Sequence, residues 1–210
     1  TTFNMISGTF KPTSGKVFLE GRRIDGNYMY QNNQLGIART YQNINLFKNI
    51  TILENILIGQ HSRLSCGLFS ALFHPPKYYK EEKKAVEKAR NILEFVGLKQ
   101  KEDSIASALS YGEQRLLEIA RALASDPTLL LLDEPAAGMN PTEKESLANL
   151  VTRIRERGIT VLLVEHDMKF VMGITERICV LNYGKRIALG TPAEVQANPE
   201  VIEAYLGRGD

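Results

Sequence analysis

The chain has 210 residues, 43% of them hydrophobic, which is enough for one sizeable core and a smaller subdomain. Its formal net charge is only +2 and its lysines and glutamates are interspersed, so there is no basic stripe and we expect no nucleic-acid partner. Two cysteines are too few for a disulfide framework and no run approaches the roughly 20 apolar residues of a membrane helix, so we expect a reducing, cytoplasmic setting.

The first part of the chain predicts short strands and one short helix. The apolar positions that follow Thr1 and Thr2 favour a helix that ends at Gly8. Residues 16–20 predict a strand, and residues 21–25 continue it as an antiparallel edge. Residues 36–41 predict a further core strand that leads to Gln42. The pattern then becomes largely helical over residues 46–107, with a Gly-, Pro- and Ser-containing break at 62–76, and predicts a helical subdomain.

The segment at residues 109–114 opens a predicted amphipathic helix. Ser110 and Glu113 have the spacing of a capping box, so the segment fits a purely structural helix start. Gly112 beside a helix N-terminus also suits an anion, because free N–H groups and the positive end of the helix dipole point outward there. Both interpretations stay open. The apolar stripe of the helix has the i, i+3, i+4, i+7 spacing at Leu116, Ile119, Ala120 and Leu123.

Four leucines at residues 129–132 are followed at once by Asp133 and Glu134. Such an apolar run predicts a strand buried on both faces, and parallel α/β sheets place ligands beyond the carboxyl ends of their strands. Nucleoside triphosphate hydrolysis of the P-loop kind uses two acids at such a position, one to hold Mg²⁺ and one to orient or activate the attacking water. The run is equally compatible with a core strand that ends in an acidic turn.

A strand–helix–strand unit follows from this position. Asn140 as N-cap, Pro141 at the first position and Gly158 after the end delimit a helix over residues 141–157. Residues 160–164 predict a second buried strand, and this order of elements implies that the two strands are parallel.

A histidine follows the second of these strands. Because neighbouring parallel strands end at one rim, His166 could donate a hydrogen bond to a phosphate oxygen there, although a lone histidine is more often an ordinary surface residue. Residues 177–181 and 186–189 predict later strands around a turn at 183–184, and short helices begin at Pro192 and Pro199.

The motifs in this order resemble the nucleotide-binding subunit of ATP-binding cassette (ABC) transporters over essentially all 210 residues. They are Gln42, the segment at 109–114, the Leu₄-Asp-Glu-Pro strand and the histidine after the next strand. Within the family, the chain looks most like the ATPase of branched-chain amino acid importers. This closer resemblance lies in Arg-Thr-Tyr-Gln-Asn at 39–43, Gly-Leu-Phe-Ser at 67–70, Leu-Ser-Tyr-Gly-Glu-Gln at 109–114, Glu-Pro-Ala-Ala-Gly-Met-Asn-Pro at 134–141, Glu-His-Asp-Met-Lys at 165–169 and the tail at 199–207.

The resemblance implies an α/β fold of the P-loop NTPase (ABC ATPase) type, with a mostly parallel sheet, an antiparallel β edge and an inserted helical subdomain. The core would comprise residues 1–45 and 108–210, and the helical subdomain residues 46–107. The implied cofactors are ATP and Mg²⁺. Glu134, His166 and Gln42 would be catalytic, Thr1, Gln42 and Asp133 would hold the metal, and Thr1 and Thr2 would lie on the first helical turn beside the nucleotide.

The family's signature segment closes over a nucleotide held by the opposite subunit. By resemblance, Ser110, Gly112 and Glu113 would therefore bind the ATP of a second ATPase subunit, identical or paralogous, in a nucleotide-sandwich dimer. Glu113 replaces the usual glutamine, which is mildly unfavourable near polyphosphate unless the carboxylate faces the helix cap. Polytopic permease subunits would place the protein peripherally on the inner face of the membrane. An apolar cluster could dock there or pack locally under a loop: Leu64, Leu68, Phe69, Leu72 and Phe73.

One departure concerns the family's phosphate loop, Gly-x-x-x-x-Gly-Lys-Ser/Thr, which the sequence lacks. If Thr1 is the hydroxyl residue that follows the loop lysine, the loop and its strand would lie before residue 1, and we expect the native protein to extend upstream. Two other functions stay open: a soluble ABC ATPase of DNA repair or translation, and a non-hydrolysing binding module.

Overall fold

The computed structural model describes residues 1–60 and 76–206, and these residues fall into two compact units that divide between Glu165 and His166. This division differs from the predicted boundaries between an α/β core and an inserted helical subdomain, which remain a prediction. The apolar cluster at residues 64–73 lies outside the described residues.

The first unit contains eleven helices and strands among its described residues. In chain order they are α1 (Thr2–Ser7), β1 (Phe18–Leu19), β2 (Arg22–Arg23), α2 (Met29–Gln34), β3 (Ile37–Arg39), α3 (Ile52–Gly59), α4 (Pro76–Val96), α5 (Tyr111–Leu123), β4 (Leu129–Asp133), α6 (Pro141–Glu156) and β5 (Thr160–Val164). Two short 3₁₀ turns, Lys99–Lys101 and Ala106–Ala108, precede α5.

Two sheets are formed in this unit. Strands β3, β4 and β5 make a parallel sheet in that order, and β1 pairs antiparallel with β2. The β1–β2 hairpin confirms the predicted antiparallel edge but is only two residues long on each side. Glu20 and Gly21 connect these strands with φ values of 48° and 79°, as a tight hairpin turn requires.

Strand β4 lies in the middle of the parallel sheet, and its leucines are buried, as the leucine run predicts. Leu130, Leu131 and Leu132 are completely buried. On one face, Leu131 belongs to a buried cluster with Phe3 from α1, Ile24 from the hairpin and Ile37 from β3. The apolar run therefore anchors the strand whose last residue is Asp133.

The prediction that residues 160–164 form a second strand is confirmed, but the prediction that this strand is buried is wrong. Leu162 and Val164 of β5 are 41% and 45% exposed. Leu162 pairs with Leu131 and therefore lies on the same face of the sheet. The cluster that buries Leu131 consists of residues from α1, the hairpin and β3, and it does not include β5 among the described residues.

Helices α3, α4 and α5 pack against one another, and local interactions define where two of them begin. Thr51 and Ser110 cap α3 and α5 through capping boxes with Glu54 and Glu113. The predicted apolar stripe of α5 is incomplete, because Leu116 is only half-buried while three further side chains are buried on the same helix: Arg115, Leu117 and Glu118.

The second unit is built around an antiparallel hairpin. Its elements are α7 (Met168–Ile174), β6 (Ile178–Asn182), β7 (Lys185–Gly190), α8 (Pro192–Gln196) and α9 (Pro199–Leu206). The predicted turn at residues 183–184 is confirmed, and both residues have positive φ. The core of this unit consists of Val180, Ala188, Val195 and Val201. Within the described part of the chain, none of the helices is both long and apolar enough to cross a membrane.

Candidate active site

The carboxyl end of β4 makes a sharp turn at Glu134. The Glu134 backbone has φ of +44°, in the left-handed region that residues other than glycine rarely adopt. Its N–H donates to the Val164 carbonyl at 2.9 Å, and its own carbonyl accepts from Ala137 at 3.2 Å. Glu165 at the end of β5 accepts the Ala136 N–H at 2.7 Å. Backbone conformations of this kind cost about 1–3 kcal/mol and cluster at functional sites.

Two of the predicted catalytic side chains meet at this turn. The Gln42 side-chain nitrogen Nε2 lies 3.2 Å from the Glu134 oxygen Oε2, although the two residues are far apart in the sequence. Gln42 follows β3 and Glu134 follows β4, so the contact arises because adjacent parallel strands end at the same edge of the sheet.

Asp133 is held by an arginine that is not among the predicted site residues. The Arg39 guanidinium lies 2.9 Å from Asp133 Oδ2, with 10% and 22% of the two side chains exposed. Arg39 also donates to Asn4 Oδ1 at 2.6 Å and to Ser7 Oγ at 3.1 Å. The sequence does contain a signal for this contact. Arg39 is a charged residue at the end of an otherwise apolar strand, and such a group needs a partner when it is largely buried.

The first turn of α1 is tied to Asp133 through this arginine. Thr1 is the N-cap of α1 and Thr2 its first residue, and both are exposed. Asn4, on the same turn, shares the Arg39 guanidinium with Asp133. The structure thus connects the helix that begins with Thr1 and Thr2 to the end of β4.

The predicted metal ligands are all oxygen donors, which suit a hard cation. Among the described residues, no group of three or more histidine, cysteine or acidic side chains could hold a metal ion. Mg²⁺ does not need such a group, since it is usually bound through one or two carboxylates together with waters and substrate phosphates. Asp133 would supply one carboxylate, Gln42 an amide oxygen and Thr1 a hydroxyl oxygen, so the donor types of the predicted ligands fit Mg²⁺.

The segment at residues 109–114, called the signature segment below, contains the N-cap and the first turn of α5. Ser110 Oγ accepts the Glu113 N–H at 3.3 Å, and Glu113 Oε2 accepts the Ser110 N–H at 3.1 Å. The other Glu113 oxygen accepts from Lys101, and this hydrogen bond is the main reason why the pKa of Glu113 is lowered. The carboxylate therefore faces the cap, which is the arrangement that makes an acid tolerable at this position.

Lys101 is the main cause of the lowered Glu113 pKa, so removing its charge should change how Glu113 titrates. Lys101→Met is expected to raise the pKa of Glu113 towards its ordinary value of 4.5, because the strongest interaction with the charged form is lost. A carboxyl whose pKa is lowered by folding stabilises the fold above its unfolded pKa, and this contribution is lost as the pH falls through the lowered folded value. The stability difference between wild type and Lys101→Met should therefore be full near neutral pH and shrink in acid.

The measurements are an NMR titration of Glu113 and the free energy of unfolding between about pH 3 and pH 7. Lys83→Met, at an exposed position on α4, is the control and should leave the Glu113 titration unchanged. An unchanged Glu113 pKa in Lys101→Met would contradict the assigned cause.

Gly112 is required by close packing. A Cβ atom at Gly112 would lie 2.5 Å from Glu143 Oε1 on the first turn of α6. Glu143 cannot move without cost, since it caps α6 together with Asn140, whose N–H it accepts at 2.9 Å. The start of α5 therefore packs directly on the start of α6.

Gly112→Ala is expected to destabilise the protein by about 1–3 kcal/mol, the usual cost of adding a methyl group to a closely packed site. The matched control is Gly173→Ala in α7, where an added Cβ would meet no atom within 4 Å. That change should be stabilising by about 0.5–1 kcal/mol, because alanine favours helix. Chemical denaturation of both variants checks the comparison, and equal effects would show that the Glu143 contact is unimportant.

His166 is the first residue of the second unit and is exposed. It directly precedes Asp167, which caps α7 by accepting the Phe170 N–H at 3.1 Å. The role of His166 towards a phosphate stays a prediction.

Comparisons with protein families match two parts of the chain. Residues 1–137 match the model of a family described as "ABC transporter". Residues 185–210 match a family described as "Branched-chain amino acid ATP-binding cassette transporter".

Transport ATP-binding proteins of several organisms are similar to almost the whole chain. The "High-affinity branched-chain amino acid transport ATP-binding protein LivG" of Salmonella typhimurium is 45% identical over 208 residues, which cover 99% of this chain and 82% of the relative. The corresponding protein BraF of Pseudomonas aeruginosa is 44% identical with the same coverage. LivG of Archaeoglobus fulgidus, named as a probable transport ATP-binding protein, is 40% identical over 213 residues, which cover 100% of this chain and 81% of that relative.

Solved structures of ATP-binding cassettes have a similar fold. A nucleotide-free ATP-binding cassette from an ABC transporter superposes with a TM-score of 0.83 at 34% identity, covering 99% of this chain and 83% of that one. An ADP-bound conformation of an ATP-binding cassette gives the same TM-score and identity, with 99% and 82% coverage.

Proposed function

This chain belongs to the ABC transporter family, and from that premise we propose that it is the ATP-hydrolysing subunit of an importer for branched-chain amino acids. The similarity to LivG and BraF over 99% of the chain supports the choice of importer. The observation that carries hydrolysis is the 3.2 Å contact between Gln42 and Glu134 at the end of the buried β4 strand.

Glu134 acts in this proposal as the base that polarises the attacking water. It lies on a strained turn and contacts Gln42, whose amide helps to orient the carboxylate. Asp133, with Gln42 and Thr1, would hold Mg²⁺, and Thr2 would lie beside the phosphates. When bound, Mg²⁺ neutralises the charge that develops on the phosphate oxygens. His166 would donate a hydrogen bond to the terminal phosphate.

Ser110, Gly112 and Glu113 serve a second nucleotide in the proposed assembly. Two ATPase subunits would enclose two ATP molecules, with the capped start of α5 from each subunit covering the nucleotide of the other. Closure on ATP and opening after hydrolysis would drive transport, because the nucleotide binds the closed state more tightly. The dimer would attach to permease subunits on the inner face of the membrane.

The test is ATP hydrolysis and leucine uptake by the full-length protein, purified with its co-expressed permease subunits and reconstituted into vesicles. We expect Mg²⁺-dependent hydrolysis, and uptake that requires ATP on the side of this subunit. A protein that purifies without any membrane partner and hydrolyses ATP normally would contradict the transport role, and a protein that binds ATP without hydrolysing it would contradict the enzymatic role.

A further inference from the structure

An ion pair lies inside α5 and is fully shielded from water. Arg115 is 0% exposed and Glu118 1%, and Arg115 Nη1 lies 2.8 Å from Glu118 Oε2. Within the described residues, the buried Arg115 Nε has no hydrogen-bond partner. Burying two charges is costly, and a buried pair of this kind often stabilises a fold no better than apolar side chains of the same size. Fold stability is therefore a weak reason for its presence.

Both charged groups bind the backbone of the segment that carries Gln42. Arg115 Nη1 donates to the Tyr41 carbonyl at 2.7 Å, and Nη2 donates to the Gln42 carbonyl at 2.8 Å. Glu118 Oε1 accepts the Tyr41 N–H at 3.2 Å. Three backbone groups of two consecutive residues are thus bound by one guanidinium and one carboxylate, and charge-assisted hydrogen bonds are shorter and stronger than neutral ones.

The same arginine extends this network to the turn after β4. Arg115 Nη2 also lies 3.3 Å from the Tyr111 hydroxyl, at the start of α5. The Tyr111 ring lies against Gly138, where an added Cβ would be 3.1 Å from a ring carbon. On the other side, the Gln42 side chain reaches Glu134. One end of the network is therefore the signature segment, and the other is the proposed catalytic base.

We propose that Arg115 and Glu118 are positioning residues that fix the backbone at Tyr41 and Gln42, so that the Gln42 side chain is held against Glu134. The pair is shielded from solvent and acts through Gln42. Because Tyr111 belongs to the signature segment, the pair also links that segment to the catalytic base. This inference rests on the proposed ATPase function for its kinetic consequence, but not for its structural one.

The decisive variant replaces both charges at once. Arg115→Met together with Glu118→Leu removes the buried pair while keeping apolar volume, and such replacements commonly preserve folding. We expect a lowered melting temperature, because two carbonyls and one N–H lose their partners, and at least ~10-fold faster hydrogen exchange of the Tyr41 amide, which has lost its acceptor. We also expect kcat for ATP hydrolysis to fall by about 10–10²-fold with little change in KM, because misplacing a catalytic group by about 1 Å has effects of that size.

Two further variants separate positioning from a structural role. Ile119→Ala shortens a completely buried apolar residue on the same helix, so it should lower the melting temperature while leaving kcat and Tyr41 exchange unchanged. Arg115→Lys keeps the charge but not the planar fork that binds two carbonyls, so it should reproduce the loss of kcat in part, with a smaller change in Tyr41 exchange because Glu118 still accepts that amide. It also keeps the test valid if the double variant fails to fold.

The outcomes distinguish this inference from the proposed function. Tyr41 exchange is measured without nucleotide, so it tests the clamp even if the wild-type protein proves not to hydrolyse ATP. Folded variants that keep wild-type Tyr41 protection and wild-type kcat would overturn the inference. So would a loss of kcat that only parallels the loss of stability, as judged against Ile119→Ala.

Discussion

Glu134→Gln is expected to lower the rate of ATP hydrolysis by about 10²–10⁴-fold while ATP binding is retained, since this is the usual contribution of a well-placed general base. The substitution keeps the size and shape of the side chain, and its amide oxygen can still accept from Gln42 Nε2, which lies 3.2 Å from Glu134 Oε2. It removes the negative charge that polarises the attacking water.

Single-turnover hydrolysis and equilibrium binding of labelled ATP measure the two quantities separately. Glu156→Gln, an exposed residue at the end of α6, is the matched control and should behave as wild type. If Glu134→Gln hydrolysed ATP at a near-normal rate, another group would have to be the base. If it lost ATP binding instead, Glu134 would contribute to the ground state and not to the chemical step.

Leu131→Ala is expected to lower the free energy of unfolding by about 2–5 kcal/mol, the cost of removing a large buried side chain and leaving a cavity. Leu131 is 0% exposed and packs with Phe3, Ile24 and Ile37 in the cluster that joins α1 and the β1–β2 hairpin to the sheet. A loss of this size is a large fraction of the stability of a typical domain.

Chemical denaturation measures the effect, with Ile58→Ala as the control. Ile58 is also a large apolar residue of the first unit, but 43% of it is exposed, so its truncation should change stability by about 0.5 kcal/mol or less. Comparable losses for the two variants would mean that the cluster around Leu131 does not hold the sheet together.

The features that the sequence predicted well are those with short-range causes. The capping box at Ser110 and the N-cap at Asn140 involve residues only three positions apart, so the local sequence is sufficient to specify them. The leucine run before Asp133 is stable only in a strand covered on both sides, and β4 is such a strand.

Contacts between distant parts of the chain escaped prediction. Arg39 binds Asp133 from 94 positions away, and Arg115 binds the Tyr41 carbonyl from 74 positions away. In a helical pattern, Arg115 and Glu118 belong to the polar positions, although the structure buries both completely. Only the packing of α5 against the end of β3 makes their burial tolerable, because it supplies the backbone groups that they bind.

The exposure of β5 has a similar cause. The apolar composition of residues 160–164 predicts a buried strand, but composition cannot say which face of a strand a neighbouring layer covers. It depends on which strands the neighbouring layer covers, and among the described residues the buried cluster around Leu131 includes β3 and β4 but not β5.

By itself, the order of residues determined the parallel strands, the helix starts and the acidic pair at Asp133 and Glu134, because periodicity and capping act over a few residues. The tertiary structure alone decided which polar groups bind one another: Arg39 with Asp133, Gln42 with Glu134, and Arg115 with the Gln42 backbone carbonyl. Such pairings depend on strand register and helix packing, and no local pattern encodes either.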